Sequence, residues 1–398
     1  MQWSAEMSDR IGDWLGLSNR SCLAEKRKED KAMKEMTELP RICVGVDLHK
    51  AQFTVHAINE ETGEVVLTGV YRTESQGYKD FCNRLHSIEA EEECRIELAV
   101  EATGNARYFK NKMEAEGFGV LVVNTSKFKV ITMSTKKTDA NDAATLAFYL
   151  SKDMLPQSHL CDQTSEEIRR MLKTRSILVS STVKIKNQIH GMLLGYGIET
   201  TSAQFQSKKK RQELINVLAE HYFSQFTASS LEVTLNILDD IYAQVKRIEE
   251  QIREMTKENE TVSLLMTMPG IGFVGATTIV SYVDDISRFD GDFKKFSSYL
   301  GIIPSVHNSA DTVRMGHITK RGPQELRTAF VQVAMGIIRQ PQNTSEWKLM
   351  KDYQTMKISK GSGRAIIALT RKVARIVFAM LNNREAFNPE LMKKSNVA

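Results

Sequence analysis

Four acidic residues stand where they could share a cation. Asp47 closes the apolar run ICVGVD (42–47), and Glu101 closes the run at the start of LAVEATGN. Both runs read as β-strands, so each acid sits at a strand end. Asp139 and Asp142, in KKTDANDAA, lie three apart at the start of a helical stretch, a spacing that puts both on one face. Carboxylates gathered from two strand ends and a helix repel one another unless a cation lies between them. Mg²⁺ is the expected ion, or Mn²⁺, because hard divalent cations take oxygen ligands and bridge carboxylates to phosphate. A two-metal site of this kind suits the cutting or joining of phosphodiesters. Taken singly, the same residues read as surface acids and a helix cap, and only the set of four argues for metal.

The segments that carry these acids, GVDLHK, VEATGN and KTDANDA, occur in this order and spacing. In them the chain resembles the DEDD-type transposases of insertion sequences, a family that includes the Piv-type DNA invertases. The likeness continues through MPGIGFVGA, FKKFSSYLGIIPS and GHITKRGPQELR, and leaves out the first forty residues. It implies a RuvC-like, ribonuclease-H-type N-terminal domain whose four acids bind metal. It also implies a C-terminal serine that attacks DNA to form a phosphoserine link, a site shared between subunits of an oligomer, and in some members a structured guide RNA. The matching serine here is Ser309. The family commonly has glycine directly after the serine, whereas this chain has Ala310, which tolerates a positive φ poorly.

Composition sets the outer bounds. A length of 398 residues suggests two or three domains, and 41% apolar content is enough for real cores. No run of eighteen apolar residues suggests a membrane span, and Glu6, Asp9, Arg10 and Asp13 break up what would be the apolar core of a signal peptide. The five cysteines, Cys22, Cys43, Cys82, Cys94 and Cys161, show no ligand-like spacing, so reduced thiols and a cytoplasmic location are expected. Net charge is only +5, but Asp311 to Arg375 holds thirteen Lys and Arg against four Asp and Glu. A local excess of that size favours a phosphate backbone as partner.

The elements that must position these residues follow from the pattern. Residues 1–40 alternate charges and read as a flexible or loosely helical extension with no assigned function. RICVGVD, FTVHAIN and EVVLTGVY are strand-like, with a turn around Glu60–Gly63 between the last two. A helix over Tyr78–Ser87, strand IELAVE, a helix after Gly104, strand GVLVVN and the helix of Asp139 and Asp142 complete an α/β domain over 41–160. Residues 161–262 form a helical region. Ser165–Leu194 carries scattered basic residues, and KKKR (Lys208–Arg211) reads as a solvated connection. Leu231, Leu235, Leu238, Tyr242, Val245, Ile248, Ile252 and Met255 then show the three-four spacing of a coiled-coil seam, or equally of a helix packed on its own domain.

The third region, 263–398, is mainly α-helical. MPGIG followed by FVGATTIVSYV predicts a helix-hairpin-helix in which Gly270 and Gly272 let backbone N–H groups approach a DNA phosphate. PSVHNSADTVRMGHITKRG reads as a polar loop holding Ser305 and Ser309, which chemistry alone does not rank. His307 and His317 are not at a spacing that marks a dedicated base, so activation of the serine falls to the acidic site. Arg314, Lys320, Arg321 and Arg327 are candidates to neutralise charge on the phosphate. A closing amphipathic helix, Gly363–Asn382, offers Arg364, Arg371, Lys372 and Arg375 to DNA or RNA.

The expected function is that of an insertion-sequence transposase or site-specific recombinase, working on DNA as a homo-oligomer (dimer or tetramer) with the acids, Mg²⁺ or Mn²⁺, and Ser309. The acids and the serine lie about 170 to 260 residues apart, which demands domain closure or a composite site. The alternatives are a Holliday-junction-type nuclease that uses water, and an inactive DNA-binding protein. No zinc finger or other sequence-reading motif is evident, which suits recognition delegated to an RNA.

Overall fold

Gly45 sets the geometry of the N-terminal part of the chain, because a helix lies directly on it. The structure, a computed structural model, describes residues 39–125, 127–128, 138–205, 207–219, 224–309 and 312–393. All but the last two residues of the expected N-terminal extension therefore lie outside the described residues. The chain divides between Leu160 and Cys161 into two compact units.

In the first unit, β1 (Arg41–Leu48), β2 (Gln52–Asn59), β3 (Val65–Arg72), β4 (Arg95–Glu101) and β5 (Gly119–Val123) form one sheet in the order β3-β2-β1-β4-β5. β1 to β3 are antiparallel neighbours, while β4 and β5 run parallel to β1. Helices α1 (Ser75–Glu91), α2 (Ala106–Ala115) and α3 (Asp139–Leu150) complete it. A mixed α/β domain was expected, and α1 runs further at both ends than the expected Tyr78–Ser87.

β1 is buried along almost its whole length because both sheet faces are covered. The two-residue period of a strand sorts its side chains. Ile42, Val44, Val46 and Leu48 enter a core with Phe53, Tyr78, Phe81 and Phe109. Cys43 faces the other way, packing with Ala99 of β4 and with Leu146, Ala147 and Leu150 of α3. Gly45 and Asp47 share the parity of Cys43, so they too belong to the α3 face. A Cβ on Gly45 would stand 1.9 Å from the Ala143 carbonyl oxygen and 2.5 Å from the Ala147 nitrogen. The helix backbone therefore rests on the strand at this residue.

Helix and strand match in length. The twelve residues of α3 rise about 18 Å, and β1 covers about 20 Å from Arg41 to Asp47. The far end of the pair is pinned by Arg41, 7% exposed. Its guanidinium donates to both Glu60 oxygens, to Glu97 and to Asp153, each at 2.9 Å, and to the Leu150 carbonyl at 3.1 Å. One side chain thus joins β1, β4, the β2–β3 turn and the C-terminal end of α3. Burial works against its charge, but the Glu60 and Asp153 hydrogen bonds outweigh this and hold it above the usual arginine range.

The second unit is helical apart from one hairpin. α4 (Gln163–Leu194) and α6 (Gln225–Met255) pack together, with α5 (Lys208–Ala219) between them in sequence. Leu231, Leu235 and Leu238 are buried with Ile189 and Leu193 of α4, and Ile252 is buried with Ile168 and Leu172. Leu231, Leu235, Leu238 and Ile252 of the apolar stripe read from the sequence are thus taken up within the chain, while Met255 at its end is exposed. KKKR opens α5 instead of forming a connection: Lys208, Lys209 and Lys210 are exposed as expected, but Arg211 is buried, donating to the Phe205 carbonyl at 2.9 Å, pairing with Asp239 and stacking on Tyr242. A cation beside an acid and an aromatic face can be buried where three unpartnered lysines cannot.

The rest comprises α7 (Glu260–Met266), α8 (Phe273–Val283), α9 (Phe293–Leu300), β6 (Pro304–Ser309), β7 (Thr312–Ile318), α10 (Gln324–Ile338), α11 (Pro341–Thr344), α12 (Lys348–Lys360), α13 (Ser362–Asn383) and α14 (Glu390–Lys393). Leu265, Ile279, Phe296, Phe330, Val373 and Val377 lie in its core. The expected loop after Ile303 is instead an antiparallel hairpin pairing Pro304 with Ile318 and Ser309 with Thr312. Its polar, turn-rich composition hid the β-branched residues Val306, Thr312 and Val313 that suit a strand. No helix among the described residues is long and apolar enough to cross a membrane.

The close approach at Gly45 yields a stability prediction. Gly45→Ala forces strand and helix backbones apart, at about 3 kcal/mol. Urea unfolding of the full chain should show a lower midpoint for the transition of the N-terminal unit. An unchanged midpoint would mean that α3 does not rest on Gly45.

Candidate functional site

Asp47 and Glu101 leave the sheet at the same end, on the neighbouring interior strands β1 and β4. Their strands are parallel neighbours in register up to Val46 and Val100, so the two acids follow as the next pair. Glu101 is half-buried and is the last residue of β4. α3 begins beside them, because its N-terminus lies at the end of the helix opposite the Arg41 cluster. Thr138 caps it, accepting from the Asn141 N–H at 3.3 Å. Asp139 and Asp142 occupy the first turn, where the positive end of the helix dipole favours a carboxylate.

His49, two residues beyond Asp47, completes the cluster. Its Nε2 lies 3.1 Å from Asp47 Oδ2, to which it donates, and 3.5 Å from Asp139 Oδ2. Its backbone carbonyl accepts from Asn105 Nδ2 at 3.0 Å, and Thr103 Oγ1 donates to Asn105 Oδ1, also at 3.0 Å. The loop after Glu101 thereby holds the loop after Asp47. Asp47, His49 and Asp139 offer ligand atoms that all lie within 4.8 Å of one another. Ligands about 2.1 Å from a cation stand roughly 3 to 4 Å apart, so small side-chain rotations would close this trio on an ion. Carboxylate oxygens suit Mg²⁺ and Mn²⁺, and the imidazole also suits a transition ion.

The electrostatics fit a site waiting for positive charge. Burial pushes the Asp47 carboxyl up, the neighbouring His49 pulls it back, and Asp139 and Asp142 add to the rise; the net effect lies above the ordinary carboxylate value. The adjacent Asp47 charge, against partial burial and with help from Asp139, raises the His49 imidazole above its ordinary value. Asp47 is 14% exposed and His49 50%, so the cluster opens to solvent on the histidine side.

Of the four acids, Asp47 and Asp139 are drawn together with His49, and Asp142 is near enough to raise the Asp47 pKa. His49 was missed in the sequence, although its place two residues after Asp47 puts it on the same face of an extended strand.

The remaining candidates belong to the second unit. Ser309 is the last residue of β6, and Ser305 lies at a bulge in that strand with its hydroxyl against Gly316, where a Cβ would come within 2.4 Å. Arg314 is on β7. Lys320 and Arg321 are exposed just beyond it, and Lys320 adopts a left-handed φ of 52°. Arg327 donates to the Leu300 carbonyl at 3.3 Å, joining α10 to α9. Arg364 and Arg371 are exposed on α13. The two glycines of PGIG differ. Gly270, with φ 90°, packs against α10, where a Cβ would meet the Val333 carbonyl oxygen at 2.8 Å. Gly272 is open at the start of α8.

Comparison with known proteins adds a family. A DEDD transposase family of the IS110 type matches residues 44–198, which include all four acids, and the transposase IS116/IS110/IS902 family matches residues 262–348, which include Ser309. The chain is similar to a probable family 20 transposase of Pseudomonas aeruginosa, at 23% identity over 87% of this chain and 98% of that protein. It is also similar to the transposase for insertion sequence element IS1111A of Coxiella burnetii, at 25% over 91% and 94%. A third relative is the transposase for insertion sequence element IS1328 of Yersinia enterocolitica, at 22% over 87% and 98%.

Because His49 is raised above its unfolded value, its contribution to stability is fully present below pH 6.5 and is lost as pH rises through the folded pKa. A titration of ¹³C-labelled histidine in the metal-free chain should place the His49 midpoint above 6.5. Asp47→Asn, which removes the largest cause, should bring it back down. A midpoint at or below 6.5 in the parent would contradict the geometry.

Proposed function

The chain belongs to the DEDD transposases of the IS116/IS110/IS902 family, and from that premise we propose that it cuts and rejoins DNA strands with Asp47, Glu101, Asp139 and Asp142 holding Mg²⁺ or Mn²⁺ and with Ser309 as nucleophile. One observation carries the reading: two carboxylates from separate elements converge with His49 at one sheet end, within 4.8 Å. Residues 41–160 then act as the catalytic domain, and the sheet order β3-β2-β1-β4-β5 supports its RuvC-like, ribonuclease-H-type assignment. A divalent ion held by the acids would supply Lewis-acid polarisation of a phosphoryl oxygen.

The chain's own residues do the rest. Asp47 and Asp139 position the centre, and His49 supplies a proton-bearing nitrogen between them. The Ser309 oxygen bonds to phosphorus as the phosphorus–oxygen bond to the departing strand breaks, and the serine proton passes to the oxygen of that departing strand, leaving it as a hydroxyl. Arg314, Lys320, Arg321 and Arg327 offset the charge that builds on the phosphate. A left-handed backbone is costly for lysine, and its use at Lys320 supports a positioned side chain.

Residues 263–398 form the serine-bearing domain, and residues 161–262 the helical middle. α7, the PGIG turn and α8 act as the helix-hairpin-helix, presenting the open Gly272 to a phosphate. A homo-oligomer with a coiled-coil contact would use Ile177, Val183, Val233 and Ile237, which are exposed while the main stripe is consumed within the chain. Target choice through a structured guide RNA and action in the cytoplasm complete the reading.

Asp139→Asn should abolish strand exchange at saturating Mg²⁺, since one ligand and one charge are lost; near-normal exchange would remove the metal role. Trapping on a nicked substrate should join the protein to DNA through phosphoserine. Ser309→Ala should lose this adduct while keeping fold and DNA binding. An adduct that persists in Ser309→Ala would transfer the role to another residue, Ser305 first. Cleavage by the parent without any adduct would favour a nuclease that uses water.

Replacing Lys320 and Arg321 with Gln should weaken binding to all duplex sequences alike and flatten its salt dependence by roughly one to two units of slope. An unaltered slope would mean that neither side chain meets phosphate.

A further inference from the structure

The second unit holds an open trough of about 1390 Å³ between the base of the β6–β7 hairpin and helices α12 and α13. Its floor is apolar, with Ile302, Ile318, Leu349, Ile367 and Ile376. Its rim is basic: Lys348, Arg364, Arg371, Lys372 and Arg375 stand around a single acid, Asp352. Lys372 pairs with that acid, and the Arg375 guanidinium lies 4.9 Å from the Phe293 ring centre. Among the described residues, Lys348, Arg364 and Arg371 are exposed with no acidic partner. Arg364, Arg371 and Arg375 follow at intervals of seven and four, on one face of α13, and span about 16 Å.

A row of unpaired cations is a binding surface for a polyanion. The floor decides which kind. A duplex presents sugar and phosphate on its outside and keeps its bases stacked within, so seating it here would desolvate charge against isoleucine. An unpaired strand can turn its phosphates to the rim and lay its base faces on the floor, as single-strand grooves do. We infer that this trough holds an unpaired DNA strand during cutting and rejoining. The inference rests on the proposed action on DNA strands, since an exchanged strand must leave its complement. It adds Lys348 and the isoleucine floor to the working parts.

The test is fluorescence anisotropy with the full chain and three labelled probes of one sequence: single-stranded DNA, duplex DNA and single-stranded RNA. For Arg364→Gln/Arg371→Gln, the loss of two phosphate contacts should flatten the single-strand salt slope by about 1.4 and weaken binding roughly ten- to thirty-fold near 0.1 M salt. Duplex binding should change less than about three-fold over the same salt range. Ile367→Thr should weaken the binding of single-stranded DNA and leave duplex binding as in the parent. All three probes are measured in EDTA, without divalent ion, so failure of the metal reading would leave this result standing.

Equal losses on single strand and duplex would overturn the inference, making the rim a general DNA contact. A loss confined to RNA would overturn it in favour of a guide strand. Unchanged strand binding would also overturn it, and altered sedimentation of the same variant would then hand the trough to a second copy of the chain.

Discussion

The backbone of α3 rests on the bare Cα of Gly45, and the candidate site depends on that contact. The helix is set by three restraints: the Arg41 cluster at its C-terminal end, Gly45 beneath its middle, and the Thr138 cap at its start. With those in place, Asp139 comes to His49 and Asp47 without needing a long or flexible side chain. Any Cβ at position 45 lifts the helix and carries the acids of its first turn away from those of the strands. A fold that needs carboxylates to converge has here used the absence of a side chain to do it.

Two acid clusters occupy the α3 face of the sheet, and they differ in what neutralises them. Glu60, Glu97 and Asp153 surround a buried guanidinium that hydrogen-bonds to all three, so that end is complete within the protein. At the other end Asp47 and Asp139 share a half-exposed imidazole, whose charge comes and goes with pH. A buried permanent cation suits a structural joint. An exposed, titratable one suits a place that a stronger cation can take over.

How much of this was legible in the sequence depended on whether a residue's place in the fold followed from local pattern. Asp47 and Glu101 were readable because apolar strands announce their own ends. Asp139 and Asp142 were readable because a helix start has a recognisable grammar. Gly45 was not, since a glycine within a strand signals only that something comes close, and its neighbour 98 residues away is a tertiary fact. His49 stood inside a motif that was noticed for its aspartate. The β6–β7 hairpin was read as a loop because polar residues outnumber the β-branched ones. Arg211 was read as solvated because it ends a run of lysines, although its partners Asp239 and Tyr242 come from α6, about thirty residues on. The basic trough needs residues from the hairpin, α12 and α13 together, and no single segment displays it.

The central claim is that the sheet end beneath the start of α3 is a divalent-cation site, and anomalous diffraction tests it most directly. Crystals of the full chain equilibrated with Mn²⁺ and measured at the manganese edge should show a peak among the carboxylates of Asp47 and Asp139, within reach of Glu101 and Asp142. A map with no peak there, or with manganese bound only elsewhere, would contradict the account.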